Sequence, residues 1–175
     1  MKAKPVIESK AVKSAVVLPP DTNNLGTVFG GKVMSYIDDI AALSAMRHAR
    51  MTVVTASTDS VDFLHPIKSD QAICLEAFVT WTHNTSMEVF VKVVGEDLMT
   101  GERTVCATSF LTFVALDNHG KPHPVPPVIP DTEFEKNFLI PPLKGLYFER
   151  KEETVPRFLS KNAEKLNRGS KHFKP

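Results

Sequence analysis

The chain has 175 residues, of which 42% are hydrophobic and 23% charged, and its formal net charge is +1. This length supports one domain with a sizeable core and argues against a second full domain. No apolar run approaches the roughly 18 residues that span a bilayer, and the first ten residues lack the apolar core of a secretory signal. We therefore expect a cytoplasmic protein that makes no membrane contact.

Cysteines, histidines and charge exclude several kinds of site. Cys74 and Cys106 both lie in apolar segments typical of strands, which favours reduced core residues over a disulfide. The six histidines show no ligand spacing, so we expect no metal. Residues 1–143 hold 12 Lys/Arg against 16 Asp/Glu, whereas residues 144–175 hold 9 against 4. The basic end has no nucleic-acid motif, so we predict a solvated helix or a frayed end rather than a nucleic-acid site.

In chain order, the first predicted elements are a strand over residues 11–18, a polar turn and a long helix. Projected at about 100° per residue, Asp38 falls at the edge of the apolar face of this helix, whereas Asp39 points away from it. Asp39 is therefore predicted to be a solvated charge. For Asp38 two interpretations stay open, a satisfied boundary carboxylate and a functional one. The residues that form the apolar face are Val33, Met34, Ile37, Ile40, Ala41, Ser44, Ala45 and His48.

Gly30 and Gly31 stand where this helix begins, and they also have two interpretations. Small residues let the chain enter a tightly packed helix, which alone would explain them. Glycine also admits a ligand close to the backbone, where the helix start offers unpaired N–H groups and the positive end of the helix dipole. Such a position can bind an oxyanion.

After the helix the pattern changes to four long extended runs, over residues 52–64, 72–82, 86–95 and 102–116. Alternating apolar residues predict strands with one buried face, and the short turns between them favour antiparallel pairing. The expected fold class is α+β, with a long curved antiparallel sheet around one helix. A Pro-rich stretch over residues 122–130 is predicted to be a linker, followed by short helices over residues 132–137 and 148–162.

The motif Asn23-x-x-Gly26-x-x-x-Gly30-Gly31, followed by Met34 and Ile37-Asp38, resembles the signature of hotdog-fold acyl-CoA thioesterases. The similarity covers residues from about 10 to 125 and is closest to the branch of bacterial acyl-CoA hydrolases and the vertebrate cytosolic brain-type enzyme. It implies a hotdog domain over residues 8–123, with a linker and basic tail over residues 124–175. One departure is His83-Asn84, where the family has a small or basic residue. Further matching segments are 53–56, 61–67, 85–89, 107–108 and 113–115.

The resemblance implies hydrolysis of acyl-CoA thioesters to a fatty acid and CoA, with no cofactor. Asp38 would act as general base or nucleophile, and the amide of Asn23 would orient water or the carbonyl. The backbone N–H groups of Gly30 and Gly31 would stabilise the oxyanion. Thr55 matches a family position that completes the site, although by pattern alone it is an ordinary β-branched strand residue.

Residues that contact CoA are harder to identify from the sequence. The turn residues Asn84, Thr85 and Ser86 are candidates for binding the substrate, and the possible phosphate partners are Arg47, Arg50 and Lys68. Each of these basic residues is more often a solvated surface group than a ligand contact.

Exposed edges of long strands usually have partners, so we expect a homo-oligomer. The family pairs two units edge to edge and its pairs commonly form hexamers, which would place Asn23 opposite the partner subunit's Asp38. A non-catalytic acyl-CoA sensing module is the alternative function, although a sensor needs neither residue. A hotdog dehydratase is disfavoured because it requires a histidine near the helix acid, whereas His48 lies at the far end.

Overall fold

The structure is a computed structural model that describes residues 1–136, so the predicted helix over residues 148–162 and the basic tail lie outside the described residues. Helix α1 spans Gly30–Ala49, and a short helix α2 spans Glu133–Lys136. Single 3-10 turns lie at Val6–Ser9 and Pro19–Asp21. The strands are β1 (Lys4–Pro5), β2 (Ala11–Val16), β3 (Thr52–Phe63), β4 (Gln71–Thr82), β5 (Ser86–Asp97), β6 (Arg103–Leu116) and β7 (Val128–Ile129).

Five of these strands form one antiparallel sheet in the order β2-β4-β5-β6-β3, and β1 and β7 form a separate parallel pair. The four predicted runs after the helix match β3 to β6 to within two residues at either end. Strand β3 follows α1 directly but lies at the far edge of the sheet, beside β6. This is the α+β arrangement of one helix and a wrapping sheet that the sequence predicts.

The core lies between one face of α1 and the concave face of the sheet. Seven of the eight residues predicted for the apolar face of the helix are buried, and Met34 is the exception at 48% exposure. The prediction that Met34 is buried is therefore wrong. Met34 lies one helical turn before the exposed Asp38, on the edge of the helix that the core does not cover. The sheet contributes long apolar side chains to the same cluster, among them Ile73, Leu75, Val79, Val89, Val91, Leu111 and Phe113.

Strand β5 departs from the predicted pattern of one buried face, because its residues are buried on both faces from position 87 to position 95. Its second face includes charged side chains that make polar contacts. Lys92 Nζ lies 3.4 Å from Glu76 Oε2, and Thr80 Oγ1 donates to Glu88 Oε1 at 2.8 Å. Buried charge is tolerated in proteins when it is paired in this way.

The packed part of the chain extends beyond the predicted domain limits of residues 8 and 123. Ser9 Oγ accepts from the N–H of Val79 at 2.9 Å and donates to the Val6 carbonyl at 2.7 Å. In the Pro-rich stretch, the Pro126 carbonyl accepts from Nε2 of the buried His48 at 2.8 Å. The stretch predicted to be a linker is thus bound to the body of the domain. Its polar backbone atoms find partners there, which composition alone did not indicate.

Two features of the fold position the candidate site. Strand β3 is an edge strand with register irregularities beside Ala56 and Asp59, and most of its first half is exposed. Helix α1 begins after Phe29 and ends at Arg50, a left-handed residue with φ of 58°. Within residues 1–136 no helix is long and apolar enough to cross a membrane.

Candidate functional site

Asp38 and Thr55 are brought together by the fold. Asp38 is the ninth residue of α1, Thr55 is the fourth residue of β3, and Thr55 Oγ1 donates to Asp38 Oδ1 at 2.9 Å. Both side chains are exposed in the single chain. Thr55 directly precedes the irregularity at Ala56, and such bulges re-aim side chains near functional sites. No donor within the described residues contacts Asp38 Oδ2, so one carboxylate oxygen remains open.

Asn23 organises the turn that leads into α1. Its Oδ1 accepts from the N–H of Leu25 at 2.9 Å and from that of Thr27 at 3.2 Å, and its Nδ2 donates to Thr27 Oγ1 at 3.0 Å. Gly26 within this turn has φ of 71°, a conformation that glycine adopts without strain. Because an amide nitrogen carries two protons, one N–H of Asn23 is left for another acceptor.

Gly30 and Gly31 supply open amides at the start of α1. The first hydrogen bonds of the helix run from Lys32 and Val33 to the Phe29 carbonyl, and the N–H groups of both glycines have no acceptor within residues 1–136. A Cβ on Gly31 would lie 2.6 Å from Cε1 of Phe29, whereas one on Gly30 would make an ordinary contact of 3.7 Å with Phe63. A side chain at position 31 would therefore require the exposed ring of Phe29 to move. The open amides retain the functional interpretation of both glycines.

These residues form two separate groups in one chain. We call Asp38 and Thr55 the carboxylate half, and Asn23, Gly30 and Gly31 the amide half. Asp38 lies eight residues beyond Gly30, which is about 12 Å along the axis of an α-helix. That separation is too large for both halves to contact one thioester carbonyl. A single chain thus contains the two halves of a site without joining them.

The residues predicted to bind CoA are scattered over the domain. Arg47 donates to the Lys10 carbonyl, and Arg50 directly follows α1, so the two lie about 25 and about 30 Å along the helix from its first residue. Lys68 forms an isolated bridge with Thr27, which places it beside the amide half. The structure does not bring these three basic residues together.

The turn residues Asn84, Thr85 and Ser86 join β4 and β5. The carbonyl of Asn84 accepts from Val125 N–H at 3.0 Å, and the carbonyl of Thr85 accepts from Ala115 N–H at 3.0 Å. Met87, just after the turn, pairs with a residue of β6 that in turn pairs with Thr55. This turn therefore lies about two strand spacings, roughly 10 Å, from the carboxylate half.

The sequence reasoning missed two cavities beside the helix start. One has a volume of about 330 Å³ and borders Gly30, and the other has a volume of about 450 Å³ and borders Gly31. The second contains Lys32, whose Nζ lies 3.0 Å from Asp21 Oδ1, and this hydrogen bond raises the pKa of Lys32. The only available signal was the presence of polar residues before the helix and of an apolar turn at residues 63–67, and neither predicts a cavity.

Potential metal ligands do not cluster in the described part of the chain, where no group of three His, Cys, Asp or Glu residues could hold an ion. The expectation that the protein needs neither a metal nor a cofactor stays a prediction.

Comparison with known proteins identifies the family. The family model of the thioesterase superfamily matches residues 25–102. An uncharacterized acyl-CoA thioester hydrolase of Bacillus subtilis is 66% identical over 128 residues, which are 73% of this chain and 74% of that relative. The chain belongs to the thioesterase superfamily. Mammalian cytosolic acyl coenzyme A thioester hydrolases also match this chain, although the matched part is 32% of their own length.

Solved structures agree with this assignment. An apo-hexameric acyl-CoA thioesterase is 52% identical, with a TM-score of 0.79 over 90% of this chain and 98% of that chain. An acyl-CoA hydrolase of Staphylococcus aureus in complex with butyryl coenzyme A, coenzyme A and coenzyme A disulfide is 43% identical, with a TM-score of 0.77 over 94% of this chain and 98% of that chain. The predictions of a hotdog fold and of a thioester hydrolase family are confirmed.

The Staphylococcus aureus enzyme has also been solved as three variants in which an asparagine, an aspartate and a threonine are each replaced by alanine. The positions of the asparagine and the aspartate are 15 residues apart, and those of the aspartate and the threonine are 17 apart. Asn23, Asp38 and Thr55 of this chain have the same two separations. The roles of these residues here stay predictions.

Proposed function

We propose that this protein hydrolyses acyl-CoA thioesters to a fatty acid and CoA without a cofactor, and that it does so in the cytoplasm. The observation that carries the proposal is the carboxylate half, in which Thr55 holds one oxygen of Asp38 and leaves the other open. The three substituted positions in the Staphylococcus aureus enzyme have the same two separations as Asn23, Asp38 and Thr55 in this chain, which supports the choice of residues.

The complete site is proposed to form between two chains. If a second copy pairs with the exposed edge of β3, the two α1 helices lie side by side and antiparallel. The amide half of one chain then faces the partner subunit's Asp38. Apolar side chains on this side of the monomer support such an interface, because Met34 and Phe63 are 48% and 54% exposed. A hexamer built from these pairs is consistent with the hexameric relative.

The chemistry follows from this arrangement. The thioester carbonyl oxygen accepts hydrogen bonds from the N–H groups of Gly30 and Gly31, each worth about 3 kcal/mol to the tetrahedral oxyanion. Asp38 takes a proton from water as the water oxygen attacks the carbonyl carbon, and Asn23 orients that water. When the C–S bond breaks, the thiolate of CoA receives the proton. Direct attack of Asp38 on the carbonyl, followed by hydrolysis of the resulting anhydride, is the second route that these residues allow.

The test replaces the carboxylate of Asp38 with an amide and compares the effect with that of the same change at the neighbouring Asp39. Asp38→Asn keeps the shape of the side chain and should lower kcat by at least about 100-fold, the scale expected for a lost general base. Asp39→Asn is the matched control, because Asp39 is exposed and its one ion pair within residues 1–136 is with Lys13, at 3.1 Å. A thiol reagent follows the release of CoA, and thermal melting confirms that both variants fold.

Three outcomes would contradict the proposal. Full activity of Asp38→Asn would refute the role of this carboxylate. Wild-type protein that binds acyl-CoA but releases no thiol would instead indicate the sensing module considered as the alternative. A loss in Asp39→Asn as large as that in Asp38→Asn would mean that charge on the helix, and not the position of one base, controls the rate.

A further inference from the structure

The cavity beside Gly30, which we call the helix-start cavity, is mostly apolar. It has a volume of about 330 Å³, within the range of small-ligand pockets. At about 30 Å³ for each water-sized group, it has room for roughly ten such groups. Its wall includes the start of α1, the end of β3 and part of β6. The residues that line it include Gly30, Val33, Phe63, Ile67, Cys106 and Ala107.

We infer that Cys106, which lines the helix-start cavity, sets the length of the acyl chain that the protein accepts. This inference rests on the proposed function, because it assumes that the thioester carbonyl binds at the amides of Gly30 and Gly31. A carbonyl bound there has its first alkyl carbon next to the cavity. The absence of a side chain on Gly30 keeps the passage open, since a Cβ would lie 3.7 Å from Cζ of Phe63.

Polarity decides which part of the substrate enters this cavity. The cavity that borders Gly31 contains Asp21, Lys32 and Ser35, so it offers charged and polar groups. An alkyl chain gains free energy only where it leaves water for an apolar surface, at about 0.8 kcal/mol per methylene. The acyl chain therefore fits the cavity at Gly30, and the polar CoA arm fits the cavity at Gly31.

Cys106 forms a wall of the cavity that cannot move outward. Its side chain is 3% exposed, and its Sγ lies 2.9 Å from the point that a Cβ on Gly95 would occupy. A side chain at position 95 would collide with the thiol, so the space on that side of Cys106 is already filled by the backbone of Gly95. Burial raises the pKa of the Cys106 thiol, which keeps it neutral and therefore apolar in character.

The experiment measures chain-length preference in two ways. Wild type, Cys106→Ala and Cys106→Met are compared by kcat/KM for acyl-CoA substrates from two to sixteen carbons. They are also compared by the Kd of non-hydrolysable S-alkyl thioethers of CoA with two- and ten-carbon chains. Cys74→Ala and Cys74→Met are the matched controls, because Cys74 is half-buried on β4 and lines neither cavity at the helix start.

Cys106→Met should lower the preference for the ten-carbon over the two-carbon ligand by at least about tenfold, because two or more methylenes lose their place at about fourfold each. Cys106→Ala should extend the preferred chain by one or two carbons. The Cys74 variants should keep the wild-type preference. Unchanged preference in both Cys106 variants would overturn the inference, even if the protein hydrolyses acyl-CoA. A wild type without thiol release would refute the proposed function, while the Kd ratios would still test the cavity.

Discussion

A mixed oligomer of two inactive variants should recover activity, because the two halves of the site lie too far apart to work within one chain. One variant carries Asn23→Asp, which keeps an oxygen for the turn amides of Leu25 and Thr27 but removes the amide donor. The other variant carries Asp38→Asn. When the two chains are expressed together in equal amounts, a site draws its amide half from one chain and its carboxylate half from another.

The expected recovery can be calculated from this arrangement. The chance that the first chain has an intact Asn23 is one half, and the chance that the second has an intact Asp38 is also one half. About a quarter of the wild-type activity per chain should therefore return, whatever the number of pairs in the assembly. Each variant alone should show about 1% of wild-type activity or less, given the loss expected for a missing base or orienting group. Release of CoA measures both values.

Activity of the mixture no higher than the mean of the two variants would refute the shared site. It would mean that each chain uses its own Asn23 and Asp38, although Asp38 lies about 12 Å along the helix from Gly30. The amounts of the two chains are checked by mass spectrometry. A mixture of wild type with a chain that carries both substitutions is the control for chain exchange. A shared site should then give a quarter of the wild-type activity if the chains exchange and half if they do not.

Two further predictions concern stability. Ser9→Ala should destabilise the domain by about 1–3 kcal/mol, because it leaves the buried N–H of Val79 without its acceptor, and a denaturant titration that shows no loss would contradict this. For His48, burial lowers the pKa from 6.5, the Pro126 carbonyl raises it and Lys4 lowers it. Below its ordinary pKa, His48 therefore binds more protons in the unfolded chain than in the folded one. The contribution of neutral His48 to the free energy of unfolding is complete above about pH 6.5. It is lost as the pH falls below that value, by at most about 1.4 kcal/mol per pH unit. Between pH 7.5 and pH 5, His48→Gln should lose less thermal stability than the wild type, and the exposed His119→Gln is the control. If the stability of His48→Gln falls with pH as steeply as that of the wild type, other groups cause the pH dependence.

Local patterns predicted the elements of this fold closely, because the signals that define them are short in range. The helical spacing of apolar residues located α1, and the turn signals before Thr85 located the hairpin of β4 and β5. The burial of β5 on both faces was not predicted. Glu88 and Lys92 resemble the solvent-facing residues of an alternating strand, and only their partners across the sheet explain why they are buried.

The sequence indicated candidate site residues, whose roles stay predictions, but it did not indicate their arrangement. The helical projection separated Asp38 from Asp39, and the resemblance supplied Thr55, whose contact with Asp38 links residues that are 17 positions apart. The cavities could not be predicted, because a cavity depends on side chains from several elements. Cys106, for example, was correctly predicted to be a buried, reduced residue, but its place in the wall of a cavity depends on Gly95 behind it.

The exposed edge of β3 connects assembly with activity. Natural edge strands are usually protected by lysine, proline or a short length, but β3 has twelve residues and contains neither lysine nor proline. Its irregularities twist the strand without covering it. The same strand carries Thr55, which holds the carboxylate that the amide half of one chain cannot reach. Pairing of β3 with a second copy would therefore remove an edge prone to aggregation and complete the proposed site through one contact.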